Sequence, residues 1–387
     1  GVCSGCRYHE SRKRIKWEDR EKILRQILDE YKAKAREAGS IYDCIIPVSG
    51  GKDSYYQTWY AIHKLGMKPL LVTYHANNYT EVGQRNLTSM RYKFDADHII
   101  GYPTVQVLKK LNRLTFKLMG DMSWHAHSGI FSFPVQIAVK HKVPLIIWGE
   151  HGRLDRGGQY TLHDFVEMTA RDFDEHHPRG DQWSDLTDEG LARLGRPEIG
   201  EGLTAHDFNF ARYPSIEELT EVGVRGIFLG NYVFWDAYKQ TDFVIKELGW
   251  EPSPVPFERS YRTISNLDDM HETGIKDYLK YVKFGYGRCS DHVCKDIRLG
   301  YMTREQGIEE VKKRDHIRSK DFQRWFDYAG MSEAEFDGIC DTFRDPKIWW
   351  KDEKGEWVKE NIWDDAATMA RKREEHEAYL NKMQAKE

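Results

Sequence analysis

Val48-Ser49-Gly50-Gly51-Lys52-Asp53-Ser54 is the stretch from which the rest of the chain is read. Before it, Ile41-Tyr42-Asp43-Cys44-Ile45-Ile46-Pro47 is short, apolar and β-branched, the pattern of a buried strand. After it, residues 55–65 read as a helix stopped by Gly66. A strand, a Ser-Gly-Gly turn and a helix carrying Asp53 and Ser54 in its first turn make a phosphate-binding arrangement. Glycines let the backbone approach an anion, and the free N–H groups at the helix start point at it. The spacing is not the Walker pattern, which needs a longer loop ending in Gly-Lys-Ser/Thr. A Ser/Gly-rich turn with no ligand is the plainer alternative, and the strand–helix context weighs against it.

The chain of 387 residues can bury a substantial core, in two or three domains or in one large domain with additions. A net charge of -4 and a pI near 6.5 give no global basic footprint for nucleic acid. No apolar run is long enough to cross a bilayer, and no secretion signal is visible. The chain opens Gly1-Val2-Cys3 without methionine, which reads as a fragment, a processed chain or a trimmed one with residues missing upstream. Six cysteines in this length do not form a disulfide scaffold, so a reducing cytoplasmic location is expected.

Taken in order, residues 1–40 hold a Cys3-Ser4-Gly5-Cys6 knuckle and a helix over 18–38, with Ile23, Leu24, Ile27, Leu28 and Tyr31 at helical spacing. Residues 41–250 alternate strands and helices. Strands are expected at 68–74, 96–100, 143–148 and 224–229, and helices at 81–94, 105–119, 131–141 and 237–248. That alternation predicts an α/β fold with a doubly wound parallel sheet. Ligands meet such a sheet at the carboxyl ends of its strands. His75 follows the second strand there. Glu150 follows the fourth, as a candidate for magnesium or for orienting the nucleophile, against the plainer reading of a solvated acid. Asn231, Tyr232 and Trp235 follow the fifth, where aromatic rings beside an amide suit a sugar or nucleobase, or simply the core. Residues 153–213, punctuated by Gly157-Gly158, read as an insertion that sets substrate specificity, and its His163, His176 and His177 could be metal ligands or, more plainly, surface residues.

Residues 251–387 form a mainly helical C-terminal region after a proline-rich crossing at Pro252, Pro254 and Pro256. Helices are expected over 265–343, one of them capped at Thr303 with Gln306. Lys280, Lys283 and Arg288, among Tyr281, Phe284 and Tyr286, could meet a pyrophosphate or form a solvated helix edge. Residues 348–363 read as an aromatic hairpin, and 366–387 as a charged helix, solvated or used to build a homo-oligomer. Cys3, Cys6, Cys289 and Cys294 together could close a tetrahedral structural Zn2+ site. A further cysteine pair upstream could complete it instead, or the pairs could be ordinary cysteines. Cys44 and Cys340 read as small buried hydrophobes.

The loop at 48–54 resembles the SGGxDS loop of the PP-loop ATP pyrophosphatases, of adenine nucleotide alpha hydrolase-like fold. These grip the β- and γ-phosphates of ATP and leave the α-phosphate open to attack. Beyond the loop, the chain resembles the N-acetyl sugar amidotransferases of bacterial surface-sugar biosynthesis. The matching pieces are the CxxC start, residues 46–54, Leu229-Gly230-Asn231-Tyr232, and Tyr281-Val282-Lys283-Phe284-Gly285-Tyr286-Gly287-Arg288. That last piece continues into Asp296-Ile297-Arg298 and Met302-Thr303-Arg304-Glu305. The resemblance implies an ATP- and Mg2+-dependent conversion of an acetamido group on a nucleotide-linked sugar into an acetamidino group, in lipopolysaccharide O-antigen or related surface-glycan synthesis. Ser49, Gly50, Gly51 and Ser54 would hold pyrophosphate, with His75 beside the nucleotide. Asp53 would hold Mg2+ or orient the loop, Lys52 would add charge, and Glu150 would act near the nucleophile. Asn231, Tyr232, Lys283 and Arg288 would meet the nucleotide-sugar substrate. Ammonia would come from a separate glutaminase, whose nucleophile motif is absent here. A PP-loop tRNA sulfurtransferase and a non-catalytic ATP-binding scaffold are the alternatives.

Overall fold

A computed structural model describes residues 2–152, 160–264 and 270–384. Gly157-Gly158, the opening of the 153–213 insertion and the first residues of the 265–343 stretch lie outside the described residues. The chain divides into two compact units.

The first unit runs from the N-terminus to Pro254, without Met119–Asp121, and takes in Thr263, Ile264, Met270 and His271. Its centre is a sheet of five parallel strands, β1 (Cys44–Pro47), β2 (Pro69–Tyr74), β3 (His98–Gly101), β4 (Leu145–Trp148) and β5 (Arg225–Phe228). The order is β3-β2-β1-β4-β5, so the direction of winding reverses between β1 and β4. Alternate side chains feed opposite layers, as a period of two requires. Ile46, Leu71, Ile147 and Ile227 enter one core cluster, and Ile45, Leu70, Val72, Ile146 and Phe228 enter the other.

Helices cover both layers. They are α1 (Ser4–Arg12), α2 (Trp17–Glu37), α3 (Lys52–Trp59), α4 (Glu81–Phe94), α5 (Val105–Met119) and α6 (Trp124–Lys140), with α7 (Ala170–His176), α8 (Asp188–Arg193), α9 (Ile216–Val222) and α10 (Ala237–Leu248) following. Leu24, Leu28 and Tyr31 of α2, Tyr55 of α3, Met90 of α4 and Val244 of α10 pack on the first face. Val135 and Ala138 of α6 and Phe173 of α7 pack on the second. The α/β reading of this part therefore stands.

One helix is longer than expected. α6 starts at Trp124, not near residue 131. Its first turns are buried nearly all round, by Trp124, His125, Ser128 and Gly129, so no 3.6-residue stripe marks them in the sequence. Gly129 is needed because a Cβ there would sit 2.5 Å from the Tyr74 ring.

The second unit comprises Met119–Asp121, Val255–Arg262 and the chain from Glu272 onward. It is mainly helical, with α11 (Thr273–Phe284), α12 (Arg288–Leu299), α13 (Arg304–Arg314), α14 (Phe322–Ala329), α15 (Glu333–Thr342) and α16 (Ala366–Gln384). Thr303 and Gln306 form the expected reciprocal cap on α13. Phe322, Trp325, Phe326 and Phe336 interlock edge to face between α14 and α15. The hairpin is short: β6 (Trp350–Lys351) pairs antiparallel with β7 (Trp357–Val358), with Trp349 and Trp350 buried.

Two histidines of the first unit are held neutral by burial. His98 accepts or donates to the Thr73 hydroxyl at 2.8 Å, and burial depresses its pKa to about 4. His125 lies between the Tyr74 hydroxyl at 3.2 Å and the Asn112 amide at 3.3 Å, and burial depresses its pKa to about 3. Between these values and the usual 6.5 the unfolded chain binds more protons. Stability is then fully present above about pH 6.5 and falls as the pH drops toward 4. Urea unfolding at pH 7, 5.5 and 4.5 should show this decline, and His125→Asn should flatten it.

Candidate phosphate-binding site

β1 ends at the winding reversal, and the chain turns there through Ser49-Gly50-Gly51 into α3. Gly50 has φ +85°, a conformation that glycine adopts without penalty. A Cβ at this position would lie 2.6 Å from the backbone nitrogen of Leu87 in α4, so the turn also needs glycine for space. Gly51 is the N-cap of α3 and offers no side chain to its first N–H groups. The Ser49 N–H donates to Ser54 Oγ at 3.0 Å, and the Gly51 N–H donates to Ser49 Oγ at 3.3 Å. The two serine hydroxyls are 3.4 Å apart. Lys52 and Asp53 form an ion pair with each other, with 13% and 31% of their side chains exposed. The loop thus gathers backbone N–H groups, two hydroxyls and a locally balanced pair of charges at a helix start, where the helix dipole favours an anion.

Neighbouring elements hold this geometry. Gln57 Nε2 donates to the Ile147 carbonyl at 2.5 Å, tying α3 to β4. The Thr73 hydroxyl donates to the Val48 carbonyl at 2.6 Å. The Tyr55 hydroxyl donates to the Asn86 carbonyl at 2.7 Å, tying α3 to α4. The Trp250 indole donates to the Gly50 carbonyl at 3.0 Å. None of Thr73, Asn86 or Trp250 is singled out by the sequence. Gln57 had a faint signal, a polar residue on the buried side of a short helix.

His75 lies just past β2, on the same edge of the sheet. Its Nδ1 accepts from the Asn77 N–H at 3.3 Å, and its Nε2 faces Gln84 Oε1 at 3.3 Å. The ring stacks on Tyr79 at 4.5 Å and meets Tyr102 at 4.5 Å. Burial lowers its pKa, so the ring is neutral. Asn77 and Asn78 both take left-handed φ, which asparagine tolerates better than most residues. Glu150 lies just beyond β4, the strand next to β1. The Gly230 N–H donates to the Gly149 carbonyl at 3.1 Å, which joins the turns after β4 and β5.

The other expected residues are placed elsewhere. Asn231 and Tyr232 are 1% and 2% exposed. Asn231 Nδ2 donates to the Val166 carbonyl at 2.9 Å, and its own carbonyl accepts from Arg20 of α2. Tyr232 is part of the core, and burial raises its pKa. Both side chains, expected to meet the substrate, are thus buried in this structure.

In the second unit, Arg288 donates twice to Asp277, at 2.9 and 2.7 Å, and the other oxygen of Asp277 accepts from Arg259 at 3.0 Å. Lys280 pairs with Asp291 at 2.5 Å, and Lys283 donates to the Met119 carbonyl at 2.7 Å. Lys283 and Arg288, expected at the substrate pyrophosphate, thus each have a hydrogen-bond partner within their own unit.

The four-cysteine zinc site is also corrected. The sulfurs of Cys3 and Cys6 approach to 3.4 Å. Cys289 and Cys294 do not converge, because both lie on α12, where five residues turn through about 140°. Cys289 is fully buried against Val293 and Val311, and burial pushes its thiol up to about 12, whereas Cys294 is exposed. No group of three or more metal-binding side chains gathers among the described residues. The histidines of the insertion do not gather either. His176 bonds the Tyr160 hydroxyl at 3.1 Å, His177 stacks on Phe131 at 3.6 Å, and His163 is exposed.

Residues 256–363 match a family model described as LPS biosynthesis protein WbpG-like, C-terminal domain. No curated protein matches the chain. Among solved structures, NMN synthetase from Francisella tularensis is similar over 80% of this chain and 96% of its own, at 10% identity and a TM-score of 0.29. That likeness is too loose to carry a functional argument. No described helix is long and apolar enough to cross a membrane.

Gly50→Ala forces a Cβ onto the Leu87 backbone and strains a left-handed φ. It is expected to cost about 2–4 kcal/mol of stability, from overpacking plus backbone strain. A lower urea midpoint with an unchanged slope checks this.

Proposed function

We propose that this chain is an ATP-dependent amidotransferase that turns an acetamido group of a nucleotide-linked sugar into an acetamidino group, releasing AMP and pyrophosphate, in the synthesis of lipopolysaccharide or a related surface glycan. The observation that carries the nucleotide half is the Ser49–Ser54 turn at the winding reversal of a parallel sheet. The surface-glycan half is supported by the match of residues 256–363 to a lipopolysaccharide-biosynthesis domain. The choice of amidine chemistry rests on the family resemblance of the sequence.

In this reading, the N–H groups of the loop and the hydroxyls of Ser49 and Ser54 hold the two outer phosphates. The acetamido oxygen then forms a bond to the α-phosphorus, and the bond from that phosphorus to the bridging oxygen breaks as pyrophosphate leaves. Ammonia attacks the resulting imidate carbon, and AMP departs with the former amide oxygen. The loop donors act where charge accumulates on the leaving pyrophosphate. Asp53, part-exposed beside Lys52, is suited to hold Mg2+, which neutralises phosphate charge when bound. Glu150, beyond the neighbouring strand, would orient the nucleophile, and His75 would bound the nucleotide on the β2 side. Ammonia is mostly protonated at neutral pH, so a separate glutaminase is the expected source.

A sulfurtransferase would need a reactive cysteine beside the loop. Cys44 is the nearest in sequence, but it is fully buried within β1, and burial raises its pKa.

Incubation with ATP, Mg2+, ammonium and a panel of nucleotide-linked acetamido sugars should yield a product about one mass unit lighter, with AMP rather than ADP. Asp53→Ala should abolish pyrophosphate release while the circular dichroism spectrum stays unchanged. ADP as product would exclude the proposed chemistry.

A further inference from the structure

Trp250 lies 200 residues from the phosphate loop in sequence, yet its indole reaches the loop backbone. It is 1% exposed, and its Nε1–H donates to the Gly50 carbonyl at 3.0 Å. We propose that Trp250 is a positioning residue for the phosphate site, holding the Gly50–Gly51 peptide so that its N–H keeps to the side of Ser49 Oγ, from which its hydrogen bond can transfer to an oxygen of the outer phosphates. This rests on the reading of the loop as a nucleotide site.

The argument begins with the peptide unit. No described peptide bond is cis, so the Gly50 carbonyl and the Gly51 N–H point in opposite directions within one plane. Two consecutive glycines are the least restrained pair of residues, and nothing intrinsic to them prevents this plane from flipping. A flipped plane would present a carbonyl oxygen, with its partial negative charge, where the N–H now lies. An indole can donate but cannot accept. Trp250 is therefore satisfied by one orientation only, the one in which the Gly51 N–H faces Ser49 Oγ at 3.3 Å.

Trp250 is itself firmly placed. Gly249 ends α10 in the left-handed conformation, and the Trp250 N–H donates to the Val244 carbonyl at 3.0 Å. The next residue is clamped from both sides by Asn86. The Glu251 N–H donates to Asn86 Oδ1 at 3.0 Å, and Asn86 Nδ2 donates to the Glu251 carbonyl at 2.9 Å. The Asn86 carbonyl takes the Tyr55 hydroxyl of α3. Asn86 of α4 thus joins the strap at 249–251, through its side chain, to α3, through its backbone carbonyl. A tryptophan that merely fills the core is the plainer explanation, and it would not depend on the indole N–H.

The test replaces Trp250 with benzothienylalanine, which keeps the ring shape and exchanges the N–H for sulfur. Calorimetry with Mg2+–ATP and with AMP gives the readout, and Trp250→Phe serves as a second variant. ATP should bind about three- to ten-fold more weakly to the isostere, the effect of one lost hydrogen bond. AMP, which lacks the outer two phosphates, should bind unchanged, and Trp250→Phe should shift the ATP-to-AMP ratio in the same direction. Unchanged ATP affinity in the isostere, or an equal loss for ATP and AMP, would overturn the positioning role. Equal affinity of the unaltered protein for ATP and AMP would instead overturn the phosphate reading, and this inference with it.

Discussion

The contact between Gly50 and the backbone of Leu87 is the constraint on which the first unit depends. It requires a residue with no side chain in a left-handed turn at the end of a central strand. The strand itself is held by β2 on one side and β4 on the other, so the turn emerges from the most buried part of the sheet. α4 must come close enough to wall the turn, and the tie between Tyr55 and Asn86 sets that approach. A site built this way is rigid because its support is rigid. Its donors would be backbone groups, whose orientation is held by ties such as that of the Trp250 indole to the Gly50 carbonyl. The arrangement suits a task in which a polyphosphate must be held still while its innermost phosphorus reacts.

The second unit uses charge differently. Asp277 is 2% exposed and is held by Arg259 and Arg288 from its two oxygens. A buried carboxylate without partners is strongly disfavoured, so both arginines are needed where they are. Asp296 is likewise held by Tyr261 and Arg262, and Asp315 by the Ser290 N–H and hydroxyl. The Lys-Phe-Gly-Tyr-Gly-Arg run that looks like a pyrophosphate grip is therefore largely an internal scaffold. What it leaves open to solvent is aromatic, since Phe284 and Tyr286 are 53% and 46% exposed.

Much of the first unit was legible in the sequence because parallel strands buried on both faces leave continuous apolar runs, and the turns between them carry glycine. The Ser49–Ser54 turn was legible for the same reason, as a glycine pair between such a run and a helix. The parts that were not legible depend on partners distant in the chain. Arg288 reads as an open cation until Asp277 is placed against it. Cys289 and Cys294 read as two ligands of one metal until a helix turns them apart. Asn231 and Tyr232 sit where ligands meet such sheets, yet the cation of Arg20, reaching from α2 to the carbonyls of Leu162 and Asn231, marks that turn as interior. Trp250 gives no signal at all, because a hydrogen bond to a carbonyl 200 residues away leaves no local pattern.

The ion pair between Lys52 and Asp53 bears on how a polyanion could enter such a site. Each side chain is partly desolvated, and each neutralises the other when no ligand is bound. A Mg2+–nucleotide brings both an anion and a cation. Under the proposed function, Asp53 would hold the metal in place of the ammonium and Lys52 would meet a phosphate in place of the carboxylate. The number of opposed charges in contact is conserved, so neither group is left buried and unpaired along the way. A lone lysine in this place would attract the nucleotide more strongly at a distance, but it would carry an uncompensated charge between turnovers. Under the proposed function the pair would give up some long-range attraction for compensated charge, and would leave discrimination to the N–H groups of the turn.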